Sequence, residues 1–194
     1  MMGHMRLGIV HHFGWTVAVT ASPDFQVVDR RRIELIESGQ TPAPIHHEGG
    51  PHLLHRKAAP LSDSALAALV RDVRASAVRA TAAALETLTS TLSEPITSMS
   101  LRAWPADFPE DIAVQRRVPY ESRADSVMYC QVLAEAARKR DWHVHLFNAK
   151  TVETEAGRIL GERAHTVLHG PRATLGPPWS KDHRTALAAT VLAT

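Results

Sequence analysis

Three strand-like runs open this chain with no helical period between them, and every segment with helical spacing comes afterwards. Met5 to Val10 (MRLGIV) reads as a short buried strand. The turn-like His11-His12-Phe13-Gly14 follows, then Trp15 to Thr20, a run rich in aromatic and β-branched residues. Ser22-Pro23-Asp24 has turn chemistry. From Phe25 to Leu35, Val27, Val28, Ile33 and Leu35 alternate in part with Asp29, Arg31 and Glu34. Strands joined this tightly form an antiparallel meander. The fold must therefore place three antiparallel strands ahead of its first helix.

Downstream, helices and strands alternate. Ser62 or Asp63 caps a long helix that runs to about Ser93, with Leu66, Leu69, Val70, Val73, Ala77, Ala80, Ala84 and Leu88 at three-and-four spacing. Glu94-Pro95 ends it, and Ile96 to Leu101 is a fourth strand. Arg102 to Pro119 is irregular, broken by Pro105, Pro109 and Pro119. Ser122 with Asp125 matches a capping box for a second helix reaching about Arg140, with Val127, Cys130, Leu133, Ala134 and Ala137 facing inward. Trp142 to Phe147 is a fifth strand, and Val152 to about Leu160 a short helix. A Gly/Pro-rich connection ending in Pro177-Pro178 leads to a closing helix capped by Ser180. In that helix Asp182 sits in the first turn, and Ala186, Leu187, Thr190 and Val191 offer a small-residue face that can lie flat on a sheet.

Two segments stand outside this order. Residues 37–61 hold Gly39, Pro42, Pro44, Gly49, Gly50, Pro51 and four histidines, and no period survives there, so a long irregular loop is expected. Residues 1–4 read as extra N-terminal residues or a tag remnant, ahead of a single domain over 5–194.

Composition restricts the class of function. With 44% hydrophobic and 22% charged residues in 194, the chain is an ordinary globular protein. A single cysteine, Cys130, excludes a disulfide framework and fits a reducing cytoplasm. On the apolar face of its helix, Cys130 reads as core and not as a nucleophile. No apolar run approaches bilayer length. There is no Walker phosphate loop and no dinucleotide fingerprint, so no nucleotide cofactor is expected. The formal charge is +2, with basic groups clustered at Arg30-Arg31-Arg32 and Arg116-Arg117 and a further one at Lys181. Those six residues are the candidate contacts to nucleic acid, and phosphate contacts would make binding steeply salt-dependent. The other partner class is a second copy of the chain, held through an exposed sheet edge or through Trp179 and the Pro-rich segments.

Histidine is the composition outlier, with twelve in the chain. His11-His12, His46-His47, His52 and His55 cluster, and imidazole nitrogen suits transition metals. None has zinc-finger spacing with cysteine, and no His-Glu-x-x-His helix exists.

The order of elements resembles a ribonuclease H-like domain: an α/β fold with a mixed five-stranded sheet and helices on both faces. Within that superfamily the two ends of the chain resemble RuvC-type Holliday-junction resolvases. Their first strand reads Gly-Ile-Asp-Pro-Gly, then a few residues and Thr. Here Gly8-Ile9-Val10-His11-His12-Phe13-Gly14-Trp15-Thr16 begins alike and keeps the Thr spacing. Their closing helix reads Asp-x-x-Asp-Ala-Leu-Ala after a Pro-containing loop. Here Asp182-His183-Arg184-Thr185-Ala186-Leu187-Ala188 follows Pro177-Pro178. Gly176 to Asp182 also resembles a set of bacterial proteins with a Gly-Pro-Pro-Trp-x-Lys-Asp segment near the C-terminus.

The resemblance implies two-metal phosphodiester cleavage, in which carboxylates hold Mg²⁺ ions about 4 Å apart. The sequence departs from it where the chemistry sits. The first-strand Asp is Val10, the fourth-strand acidic position falls near Leu101 to Ala103, which hold Arg102 and no carboxylate, and the second Asp of the closing helix is Thr185. Asp182 is the one retained catalytic carboxylate. The expectation is therefore a bacterial ribonuclease H-like protein without standard two-metal nuclease activity, a binding or scaffold module for nucleic acid and not an enzyme. A rival expectation is a metal-dependent nuclease or phosphodiesterase in which His12, Asp182 and His183 bind a divalent metal, Mn²⁺ or Zn²⁺ ahead of Mg²⁺, with Glu121 as a further acid. A third is a protein-interaction or oligomerisation module.

Overall fold

A computed structural model of the chain describes residues 4–49 and 59–193. Residues 1–3, expected to be extra, and His52 and His55 lie outside the described residues. The meander is present as β1 (Met5–His11), β2 (Trp15–Ala21) and β3 (Val27–Glu34), with β1–β2 and β2–β3 antiparallel. The α1 helix (Asp63–Ser90) then leads to β4 (Ile96–Arg102), parallel to β1. After a short α2 (Ile112–Gln115) and the long α3 (Glu121–Arg138), β5 (His143–Phe147) pairs in parallel with β4. The sheet order is β3-β2-β1-β4-β5.

Strand alternation divides the core into two layers. Leu7 and Ile9 of β1, with Met99 and Leu101 of β4, face α1 and α3. Val10, Val17 and Val19 face the other way, toward α4 (Val152–Leu160) and the closing helix α7 (Lys181–Leu192). Helices therefore cover both faces. In α1 the Ser62 hydroxyl accepts from the Ala65 N–H at 3.2 Å, and Leu66, Val70, Val73, Ala77, Leu85 and Leu88 form the buried stripe. On the opposite face α7 presents Ala186, Ala188 and Ala189, all fully buried, and its backbone closes directly onto Gly8. A Cβ on Gly8 would sit 1.9 Å from the Ala186 carbonyl oxygen.

Three local expectations change. Helix α3 begins at Glu121, with Tyr120 as N-cap, so Ser122 and Asp125 are not a capping box. Asp125 instead reaches outside its helix and accepts the N–H groups of Ile45 (3.1 Å) and His46 (2.8 Å). Those donors open a π-helical turn (Pro44–Gly49) within the segment expected to be irregular, and an N-terminal turn leaves such N–H groups without partners of its own. Finally, the connection before α7 holds a 3₁₀ turn (Gly161–Arg163), α5 (Ala164–His169) and α6 (Pro171–Leu175). Each is too short to leave a helical period in the sequence.

Candidate functional site

The site lies where β1 ends against the first turn of α7. Val10 faces the α7 layer and is buried. Two residues on, His12 takes the same side, and its Nε2 lies 2.9 Å from Asp182 Oδ2. The His12 ring stacks on Trp15 at 4.1 Å, and Trp15 also carries the Arg32 guanidinium at 3.8 Å. The sequence-predicted pair His12 and Asp182 is thus brought together.

His183 is not part of that pair. Its Nδ1 accepts the Ser180 N–H at 3.3 Å and sits 2.8 Å from the Ser180 hydroxyl, closing a capping box at the start of α7. A ring nitrogen that accepts a backbone N–H holds the imidazole neutral, with its proton on Nε2. Burial, then Arg30, pulls His183 below the usual imidazole range, and Asp182 opposes them. Neither ring nitrogen can then offer a lone pair to a metal without opening the cap. Among the described residues, no group of three or more His, Cys, Asp or Glu side chains is arranged to hold a metal ion. One carboxylate and one imidazole also fit poorly the all-oxygen shell that Mg²⁺ prefers.

Thr185 faces a carboxylate that sequence reading missed. Its hydroxyl donates to Glu153 Oε1 of α4 at 2.9 Å, and Arg184 Nε is 3.6 Å from Glu153 Oε2. No motif surrounds Glu153, so only the packing of α4 on α7 reveals it. Glu121, offered as a further acid, is buried in the first turn of α3, in the layer on the other side of the sheet.

The neighbouring His11 points into that other layer. Its Nε2 is 2.8 Å from Ser126 Oγ, and Cys130 Sγ is 3.6 Å from the same nitrogen. Burial, with Arg102 and His12 adding to it, lowers His11 to about 4. Burial pushes the Cys130 thiol up to about 12, which leaves it protonated and unreactive at neutral pH.

Four of the six candidate nucleic-acid contacts also make hydrogen bonds within the chain. Arg30 donates to the carbonyls of Leu175 (2.7 Å), Gly176 (2.9 Å) and Pro178. Arg31 forks onto Asp29, Arg32 donates to Glu34, and Arg116 to Asp63. Arg117 and Lys181 are exposed. A different set of cations gathers nearby. Arg102, Arg123 and Lys150 line one groove of about 700 Å³ at the ends of β4 and β5.

No family model and no curated protein matches the chain. Among solved structures it is similar to T. thermophilus RuvC in complex with Holliday junction substrate, with a TM-score of 0.51 and 10% identity, covering 97% of this chain and 90% of that one. At that identity the likeness speaks for the fold alone. With the strand order above, it identifies the fold as ribonuclease H-like.

Proposed function

We propose that this domain binds nucleic acid through phosphate contacts and does not carry out two-metal phosphodiester cleavage. One observation carries the reading. Val10 and Thr185 stand where the resemblance would put two of the metal-binding carboxylates, and Leu101 to Ala103, at the end of β4, hold none. The fold shared with a protein solved on a Holliday junction supports nucleic acid as the partner class. The reading is tested by titrating labelled single- and double-stranded oligonucleotides in EDTA at several salt concentrations. Binding that survives EDTA and weakens steeply with salt is expected. Mg²⁺-dependent hydrolysis lost in Asp182→Ala would overturn it, and so would the absence of binding at low salt.

The 2.9 Å contact between His12 and Asp182 favours a second reading, a Mn²⁺- or Zn²⁺-dependent hydrolase built on that pair. Thermal melts with each metal decide it. A stabilisation specific to one metal and missing in Asp182→Ala would support it, and unmoved melts would dispose of it.

A further inference from the structure

We propose that the groove between the ends of β4 and β5 and the start of α3 binds a single nucleic-acid strand, with phosphates on Arg102, Arg123 and Lys150 and a base against Trp104. This inference rests on the nucleic-acid reading and assigns it to a groove that neither His12 nor Asp182 lines.

Arg102, Arg123 and Lys150 line a concavity whose described wall holds no carboxylate, whereas Arg71 and Arg138 share theirs with Glu110 and Glu135. Arg31, Arg32, Arg74, Arg79, Arg116 and Arg184 each face a carboxylate within 4.0 Å. Among the described residues, Arg102, Arg123 and Lys150 make no such ion pair, although all three are exposed and line one cavity. Three uncompensated cations around one concavity repel each other unless an anion enters, and they focus a positive field into it. The field is felt inside the protein, where the Arg102 charge disfavours protonation of both His11 and Cys130.

The groove is also held in shape. Ala103 N–H donates to the Phe147 carbonyl at 2.9 Å, tying the ends of β4 and β5 together. Lys150 N–H donates to Asn148 Oδ1 at 2.9 Å, which fixes the turn that carries Lys150. Cys130 Sγ lies 3.6 Å from the Arg102 carbonyl. The cations therefore project from backbone that is already ordered, so little ordering is left for binding to impose.

Its walls suit a strand better than an isolated phosphate. Trp104, half-buried, offers an aromatic face, and Ser126 and Asn148 offer hydroxyl and amide groups beside the cations. Cations that track a backbone, next to an aromatic platform for a base, are the general means of holding single strands. A concavity of about 700 Å³ has room for a segment of one strand.

The test is fluorescence anisotropy in EDTA with a labelled oligothymidine of about ten residues. Its blunt duplex is a second probe, and inorganic tripolyphosphate a competitor. Arg123→Glu and Lys150→Glu should each weaken single-strand binding about tenfold or more. Trp104→Leu, which keeps apolar bulk and removes the π face, should weaken it about tenfold. Arg158→Glu, an exposed reversal on α4, should stay within about twofold. Three phosphate contacts give a log–log salt slope of about −2, and each reversal should remove about 0.7 of it. Matching far-UV spectra and melts keep loss of binding apart from loss of fold. Single-strand binding by the wild type that the groove variants leave unchanged overturns the groove and spares the nucleic-acid reading. No binding of strand or duplex overturns both. Strand binding that tripolyphosphate displaces completely and that Trp104→Leu leaves unchanged overturns the strand as ligand and leaves a phosphate site.

Discussion

His12 Nε2 and Asp182 Oδ2 meet at 2.9 Å across 170 residues of sequence, joining the turn after β1 to the first turn of α7. Both side chains keep water contact, with 40% and 33% of their surface exposed. An ion pair so placed contributes little, because solvent screens it and ordering the side chains offsets part of the gain. A double-mutant cycle of His12→Ala and Asp182→Ala in urea should give a coupling of about 0.5 kcal/mol. A coupling several times larger would mark a desolvated pair and reopen the catalytic reading.

The same site should be indifferent to Mg²⁺. Millimolar Mg²⁺ is expected to leave the melting temperature unmoved, because Asp182 is its one carboxylate and Thr185 keeps Glu153 engaged. A stabilisation that grows with Mg²⁺ and vanishes in Asp182→Ala would contradict this.

Gly8 is where the closing helix meets the sheet. A methyl group there would lie 1.9 Å from the Ala186 carbonyl oxygen and 3.1 Å from Thr190 Cγ2. The first obstacle is backbone, so α7 must lift off β1 as a unit. Gly8→Ala is expected to destabilise by about 3 kcal/mol, read as a fall in the urea midpoint with an unchanged slope.

The architecture was legible because each long element carries its own period. The meander, α1, α3 and α7 can all be read from apolar spacing. The groove was not legible. Arg102, Arg123 and Lys150 come from three separate segments, and nothing in their spacing joins them. The runs that did stand out, Arg30-Arg31-Arg32 and Arg116-Arg117, belong largely to internal ion pairs and carbonyl contacts. Sequence shows how many charges a chain has, while the fold decides which of them are already neutralised. Asp125 illustrates the same limit. A capping-box spacing predicted a local role, and tertiary contact with Ile45 and His46 replaced it.

Arg30 should behave as a structural residue. Its guanidinium gathers the carbonyls of Leu175, Gly176 and Pro178 just before α7, which a lysine ammonium on a single point cannot reproduce. Arg30→Lys is therefore expected to lower stability by about 2 kcal/mol in chemical denaturation. Oligonucleotide affinity of the folded variant should stay within about twofold, which separates this role from a phosphate contact.

His11 and Asp125 should oppose each other in acid. Burial raises Asp125 to about 6 from 3.8, against the two N–H groups it accepts. Its neighbours are Glu121 one turn earlier on α3, Tyr129 one turn later, whose hydroxyl donates to the Pro42 carbonyl, and His46. A carboxyl raised on folding contributes stability that is complete below pH 4 and lost as pH rises through 6. His11 is lowered to about 4 from 6.5, so its contribution is complete above pH 6.5 and lost as pH falls through 4. Each displacement corresponds to about 3 kcal/mol, so the two nearly cancel between pH 4 and 6. Removing one exposes the other. Relative to wild type, Asp125→Asn should lose stability as pH falls from 6 to 4, and His11→Gln should gain it over the same range. Urea midpoints of the three proteins at pH 4, 5, 6 and 7 check this, and parallel curves would show that neither group changes its protonation on folding.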